Sequence, residues 1–172
     1  MGKEKKTEGD IPESAKAKSD ALRLLSFMPR SSDELRKRLR QKKYPAPVVE
    51  EAVEALTRQG LLDDAKYAKF FAQSHVYARP TGKRQLAFDM KKKGLSAALV
   101  EKTLADLPDY DEAKMARDLV YARFHKMTGV SDEKKKQRLF GFLKRRGFPS
   151  GVVLDVIRDL FKEDAGLPED TE

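Results

Sequence analysis

Apolar residues recur at intervals of three and four along most of the chain, which is the spacing of one buried helix face. No sustained alternation of apolar and polar positions rich in β-branched residues interrupts them, so strands are not expected. Proline, glycine and capping residues divide the pattern into nine short segments. The pattern predicts an all-α protein of nine helices.

The helical segments fall into three similar groups. A basic helix end, a tight stop and an apolar stripe begin at Leu39 and again at Met90 and Leu143, at intervals of 51 and 53 residues. A nearly constant period of this size indicates a supersecondary unit stacked on itself. The sequence therefore predicts three tandem three-helix repeats over residues 20–62, 63–109 and 110–162, between a disordered leader (1–19) and an acidic disordered tail (163–172).

Local signals predict where the second helices begin and end. Ser31 and Glu34 have the spacing of a capping box. Ser131 is predicted to cap the second helix of repeat three, and Ser96 the third helix of repeat two. Gly94 and Gly147 stand where the second helices of repeats two and three end, a position that often needs a left-handed backbone. Lys43 takes that place in repeat one, so we expect a strained turn there, at a cost on the order of 1 kcal/mol.

The charge distribution narrows the choice of partner. The net charge is +8, and the acidic end residues conceal a body, residues 21–161, that carries +12. Such a body attracts polyanions, with nucleic acid as the default and acidic protein surface as the alternative. The sequence has no cysteine and no apolar run long enough to span a membrane, so a cytoplasmic protein without a membrane partner is expected.

The basic side chains cluster on the three second helices. The helix dipole accounts for one or two cations at each carboxyl end, but not for those near the helix starts. A charged, solvated surface remains the plainer interpretation, although solvation does not require clusters at the same place in each repeat. The predicted basic binding surface comprises Arg36, Lys37, Arg40, Lys42, Lys43, Lys83, Arg84, Lys91, Lys92, Lys93, Lys134, Lys135, Lys144, Arg145 and Arg146.

Other kinds of functional site have weaker support in the sequence. The third helices expose acidic residues, which disfavours reading of DNA bases by a helix-turn-helix. Six aromatic residues could stack on bases, but most of them have the helical spacing of core positions; they are Tyr67, Phe70, Phe71, Phe124, Phe142 and Phe148. His75 and His125 suit packed or surface positions better than catalysis. The acidic pairs fit helix caps better than a metal site; they are Asp63 with Asp64, and Asp109 with Asp111. No catalytic or phosphate-binding motif is present, so we expect neither an enzyme nor a cofactor.

Several short motifs, taken in order, resemble those of the RecX family, which regulates the RecA recombinase of bacteria. They cover residues 20–161. Lys43-Tyr44 departs from the pattern of the other two repeats, in which a basic residue precedes glycine, as in Lys93-Gly94 and Arg146-Gly147. The motifs are Arg30-Ser31-Ser32-Asp33-Glu34-Leu35 with Leu39, Gly60-Leu61-Leu62-Asp63-Asp64 with Tyr67-Ala68, Gly82 with Leu86 and Met90, Lys93-Gly94-Leu95, and Arg145-Arg146-Gly147-Phe148.

The resemblance implies an elongated, curved array of three repeats that lies along the RecA filament on single-stranded DNA. It implies a non-enzymatic inhibitor of ATP hydrolysis, strand exchange and coprotease activity. Nothing in the sequence demands a dimer, so a monomer is expected, and weak direct DNA binding stays open. Two alternatives stay open. A general nucleic-acid-binding helical module would bind DNA or RNA without affecting RecA, and a structural adaptor would do neither.

Overall fold

The structure is a computed structural model that describes residues 12–108 and 110–166. Within these ranges the chain forms nine helices and no strand, which confirms the all-α prediction and the triplet pattern. None of the described helices is long and apolar enough to cross a membrane. The helices are α1 (Glu13–Phe27), α2 (Ser32–Gln41), α3 (Ala46–Arg58), α4 (Asp64–Ala78), α5 (Lys83–Lys92), α6 (Ala97–Ala105), α7 (Glu112–Phe124), α8 (Asp132–Arg145) and α9 (Ser150–Gly166).

The helices form two compact units. Residues up to Ala68, together with Lys93–Leu95, make the first unit, and Lys69–Lys92 with the residues from Ser96 onward make the second. The stop that follows α5 therefore packs with the first repeat, although it belongs to the second repeat in sequence.

The core of the first unit is the predicted apolar stripe. Both α1 and α2 pack against α3. Because the stripe positions face the same way at helical spacing, they enclose one small core. Its buried members are Ala17, Ala21, Leu35, Leu39, Val49, Ala52, Val53, Leu56 and Leu62.

The prediction of a disordered leader over residues 1–19 is wrong where α1 forms. Helix α1 begins at Glu13, whereas the charged composition placed residues 1–19 in a disordered segment. Ala17 is fully buried against the first core, so these residues contribute apolar contacts that a count of charges overlooks. At the other end, α9 continues to Gly166, inside the predicted tail. Residues 1–11 and 167–172 lie outside the described ranges.

The third repeat has its own core in the second unit. Helix α9 packs on α7 and α8, with Phe148 and Leu143 almost completely excluded from solvent. The remaining buried members are Ala116, Val120, Phe124, Leu139, Val153, Val156, Ile157 and Leu160.

The expected left-handed turns are present. Gly94 and Gly147 have φ of +79° and +81°, and Lys43 has φ of +69°, the only positive value among the described non-glycine residues. The predicted backbone strain at Lys43 is therefore found in the structure.

The two glycine turns are also docking points between repeats. A Cβ at Gly94 would overlap the Asp33 side chain in the first turn of α2, and one at Gly147 would overlap Gln85 in the first turn of α5. Lys43, by contrast, is exposed at its turn. A side chain is tolerated there at the cost of strain alone.

A backbone carbonyl completes each docking point. The Ser31 hydroxyl, at the N-cap of α2, donates to the carbonyl of Lys93, the residue before Gly94. The corresponding amide of Gly82, just before α5, donates to the carbonyl of Arg146, the residue before Gly147, at 2.9 Å. The same contact, between a glycine turn and the start of the second helix of the preceding repeat, thus occurs once in each unit. We call this contact the joint.

Candidate basic binding surface

Two predicted site arginines of the first repeat pair with a carboxylate of a neighbouring helix. Arg36 Nε lies 2.8 Å from Glu50 Oε2 and Arg40 Nη2 lies 3.1 Å from Glu50 Oε1, so one α3 carboxylate holds these two of the three α2 arginines. The hydrogen bond from Arg36 lowers the pKa of Glu50 below its ordinary value. These two predicted site residues therefore have a structural use within the first unit.

Two first-repeat lysines are paired as well. Lys37 Nζ lies 2.6 Å from Asp33 one turn earlier, and Lys42 Nζ lies 2.8 Å from Asp20 of α1. Lys43 is exposed at its left-handed turn. The first repeat therefore presents less available positive charge than its sequence suggests.

Lys93 also belongs to the scaffold. Its Nζ lies 2.8 Å from Glu34 Oε1, and the Tyr67 hydroxyl donates to Glu34 Oε2 at 2.9 Å. Burial alone would raise the pKa of Glu34, but the bonds from Lys93 and Tyr67 hold it below its ordinary value. This network reinforces the joint at Gly94.

Arg146 is used inside the second unit. Its Nη1 donates to the Pro80 carbonyl at 3.0 Å, and its guanidinium lies 4.7 Å from the centre of the Phe142 ring. Arg123 lies at the same distance from that ring. Burial, with Arg79 and Arg123 nearby, lowers the pKa of Arg146. Its position is explained by packing against the start of α5.

Three more of the predicted site lysines lie near the starts of α5 and α8. Lys135 Nζ pairs with Asp132 at 3.4 Å and lies 4.7 Å from the Phe124 ring, whereas Lys134 is exposed. Lys83 lies 5.5 Å from the Tyr110 ring. These lysines do not converge on one surface feature.

Three predicted cations do converge. Arg84 and Lys91 of α5 and Lys144 near the end of α8 line a groove of about 500 Å³ in the second unit. Lys144 Nζ has a neutral partner, the Ser150 hydroxyl, at 2.9 Å. The other lining residues are Gln85, Ala87, Phe88 and Gly147, so the described lining contains no carboxylate. We call this feature the basic groove.

Phe88 is the residue of the basic groove that sequence reasoning missed. It is 52% exposed, and Lys92 Nζ lies 4.5 Å from its ring centre. The signal was available, since Arg84, Phe88, Lys91 and Lys92 recur at helical spacing and share one face. An exposed aromatic ring among cations can stack on a nucleic-acid base.

The other aromatic predictions have mixed outcomes. Tyr67, Phe124 and Phe148 are buried, as their helical spacing predicts. Phe70 is 51% exposed and so is not the core residue that its spacing predicts. The stripe of α4 is narrower than the pattern indicates, since Ala68 and Ala72 supply its fully buried positions.

The acidic pairs act mainly as caps. Asp63 accepts from the amides of Ala65 and Lys66, and Asp111 accepts from the amides of Ala113 and Lys114. Asp109 lies outside the described ranges. No group of three potential metal ligands occurs among the described residues.

Two cap predictions differ from the structure. Asp64 accepts from the Ser32 amide and hydroxyl at 2.7 and 2.6 Å, which ties the start of α4 to the start of α2. Ser131 occupies the N-cap of α8, but its side chain makes no capping hydrogen bond. Ser96 caps α6 as predicted, accepting from the Leu99 amide at 3.3 Å.

The histidines have packed positions. His75 stacks on Phe71 with ring centres 5.4 Å apart, and its Nε2 lies 3.4 Å from Asp89. Burial lowers its pKa. His125 follows α7 and contacts the rings of Tyr121 and Phe124.

Comparison with known proteins assigns all three repeats. Residues 17–56, 63–104 and 109–157 match the first, second and third three-helix domains of RecX. The regulatory protein RecX of Streptomyces coelicolor is 33% identical over 91% of this chain and 81% of its own length. That of Mycolicibacterium smegmatis is 34% identical over 82% of this chain and 77% of its own.

Solved structures show the same fold. The crystal structure of RecX from Lactobacillus salivarius matches with a TM-score of 0.77 at 20% identity, over 87% of this chain and 97% of that one. A second crystal structure of a regulatory protein RecX matches with a TM-score of 0.76 at 24% identity, over 86% of this chain and 72% of that one. Matches to all three domain models, together with these relatives, establish that the chain belongs to the RecX family.

Proposed function

We propose that the protein is a negative regulator of the RecA recombinase. It binds the RecA filament on single-stranded DNA and reduces ATP hydrolysis, strand exchange and coprotease activity. It acts in the cytoplasm as a monomer, without a cofactor or catalysis of its own. Support comes from its membership of a family of regulatory proteins and from the motifs that span the whole repeat array.

The basic groove is the main structural support for the proposed contact with the filament. Its three cations face no carboxylate within the described lining, so their charge remains available to an anionic partner. Four of the predicted first-repeat cations are different, because Glu50, Asp33 and Asp20 already pair with them; they are Arg36, Arg40, Lys37 and Lys42. We therefore assign filament contact to Arg84, Lys91 and Lys144, with Lys92 beside them.

A RecA ATPase assay on single-stranded DNA tests this function. The unaltered protein should reduce the steady-state rate, and the double variant Lys91→Glu/Lys144→Glu should lose most of that effect while remaining folded. The matched control is Lys114→Glu/Lys126→Glu, which makes the same change of charge at exposed positions outside the groove. Full inhibition by the groove variant would show that filament contact lies elsewhere, and no inhibition by the unaltered protein would refute the regulatory role.

Direct binding of single-stranded nucleic acid is a second candidate function. The exposed Phe88 ring favours it, because contact with acidic protein alone does not call for an aromatic platform between cations. Binding to oligo(dT) with an unchanged RecA ATPase would support this general module over the RecA regulator. Binding together with inhibition would make the groove the DNA-contacting part of the regulator.

A further inference from the structure

A second groove lies between α8 and α9 of the second unit, away from the residues of the basic groove. It has a volume of about 740 Å³ and eight lining residues. Lys136, Gln137 and Phe140 come from α8, and Leu154, Ile157, Arg158, Phe161 and Lys162 come from α9. The proposed contact with the RecA filament makes no use of this second groove.

The second groove exposes apolar side chains that the third core does not need. Leu154 is 56% exposed and Phe140 is 36% exposed, and neither belongs to the buried cluster. Ile157 and Phe161 line the same groove and connect it to the core beneath. Contiguous exposed apolar side chains with polar residues at their edge are typical of interaction sites.

The charges of the second groove have one sign. Lys136 and Lys162 stand in the lining, with Lys136 Nζ 4.6 Å from the Phe161 ring. Arg158 is balanced by Asp155, 2.5 Å away, so the two lysines supply the net charge. Within the described lining there is no acidic side chain.

The α9 side of the groove runs from Leu154 to Lys162, about 12 Å along the helix axis at ~1.5 Å per residue. Two to three turns of a partner helix would cover that length. A partner helix presents its apolar anchors at the spacing of three and four residues that such grooves accept. Lysines in the lining select carboxylates beside those anchors and repel a basic helix.

We propose that the groove between α8 and α9 docks an amphipathic helix of a partner protein, with apolar side chains on one face and carboxylates flanking them. Leu154 and Phe140 contact the apolar anchors, and Lys136 and Lys162 pair with the carboxylates. The site is independent of the basic groove, so its occupation does not require the proposed RecA function.

A designed peptide tests the pairing directly. The probe is a fluorescent 15-residue helix with leucine at positions i, i+3, i+4 and i+7 and glutamate beside them, and its twin carries lysine in place of glutamate. Fluorescence anisotropy should show binding of the glutamate peptide to the full chain and at least tenfold weaker binding of the lysine peptide. Leu154→Gln should weaken the glutamate peptide by about tenfold, the loss expected when one leucine contact is removed.

A charge exchange makes the test specific. Lys136→Glu/Lys162→Glu should reverse the preference, so that the lysine peptide binds more tightly, whereas the control Lys114→Glu/Lys126→Glu should keep the original order. Equal binding of the two peptides, or no effect of the groove variants, would refute the proposal.

Other occupants give distinct results. Displacement of the bound peptide by oligo(dT) would assign the groove to nucleic acid and overturn the proposal. Much tighter peptide binding by a chain ending at Gly166 would assign it to residues 167–172 of the same chain. A concentration-dependent dimer that Leu154→Gln abolishes would assign it to a second copy.

Discussion

At the scale of single residues, the same left-handed turn ends the second helix of every repeat, but with different side chains. Gly94 and Gly147 are held by close contacts with Asp33 and Gln85, whereas Lys43 bears only the strain of its backbone. This position thus has two separate requirements, a left-handed backbone and, at Gly94 and Gly147, room for a close neighbour. Glycine satisfies both of them. Lysine strains the backbone and would collide with the neighbour.

The separation predicts unequal effects on stability. Lys43→Gly should raise the free energy of unfolding by up to about 1 kcal/mol, because it relieves the left-handed strain. Gly94→Ala should lower it by more than ~1 kcal/mol, since overlap with Asp33 adds to the strain. Urea unfolding followed by circular dichroism measures both changes.

Gly60→Ala is the matched control for Gly94→Ala. Gly60 has φ of +68°, and a Cβ there would meet no atom within 4 Å. It therefore reports the strain without the overlap. Equal losses at Gly60 and Gly94 would contradict the docking role assigned to the second turn.

Phe88 carries a second prediction at this scale. If its ring stacks on a base, Phe88→Ala should weaken binding to oligo(dT) by about 1–3 kcal/mol, the usual loss for one stacked base. Phe70→Ala is the control, because Phe70 is equally exposed but does not line the basic groove. Fluorescence anisotropy with labelled oligo(dT) compares the two variants, and equal affinities would remove base stacking from the proposal.

At the scale of helices and turns, the joint of the first unit depends on one half-buried carboxylate. Glu34 completes the capping box of α2 and also receives hydrogen bonds from Lys93 and Tyr67. It thus links three segments through a single side chain. Removal of its charge should loosen the cap and the joint together.

This arrangement predicts an acid-dependent loss of stability. The folded-state pKa of Glu34 lies below its ordinary value of 4.5, so its contribution is present above about pH 4.5 and is lost as pH falls through the folded-state pKa. The free energy of unfolding of Glu34→Gln should therefore be lower than that of the unaltered protein near neutral pH, and this difference should narrow in acid. Urea unfolding between pH 3 and 7 measures the difference.

Glu51→Gln serves as the control, because it removes an exposed carboxylate from α3 of the same unit. Its difference from the unaltered protein should show no comparable narrowing in acid. A gap for Glu34→Gln that stays constant with pH would show that the hydrogen bonds of Glu34 do not favour its charged form.

The sequence predicted the helices more reliably than the binding surface, for a physical reason. Caps, stops and apolar stripes act within a few residues, so Ser31 with Glu34 and the turn at Lys43 could be read locally. The partners of Arg36 and Lys42 come from α3 and α1, which only folding brings near. Phe88 was missed because the pattern of apolar positions predicts burial for an aromatic residue, whereas its exposure depends on which helices pack around it.

At the scale of the whole molecule, available charge differs from total charge. The body of the chain is strongly basic, but many of its second-helix cations are occupied by carboxylates, carbonyls or rings. Those of the basic groove converge in a described lining that contains no carboxylate. Binding to a polyanion should therefore depend on few positions.

That view predicts a modest salt dependence. With about four phosphates bound, log affinity for oligo(dT) should fall with log salt at a slope near −2.8, at ~0.7 per phosphate. Lys91→Glu/Lys144→Glu should reduce the slope by about 1.4, because the variant no longer neutralises two of those phosphates. Anisotropy titrations between 50 and 200 mM salt measure both slopes, and an unchanged slope would place phosphate binding elsewhere.

The recurrent joint gives the array a direction of growth. Each joint has an accepting half at the start of a second helix and an inserting half at the stop that follows the next one. The second repeat carries both halves, so an additional copy of it between the first and third repeats could dock on either side. A copy of the first repeat in that place would bring Lys43 to a joint that admits only glycine. Evolution or design can therefore lengthen this protein from its middle, whereas its first repeat is suited only to begin the series.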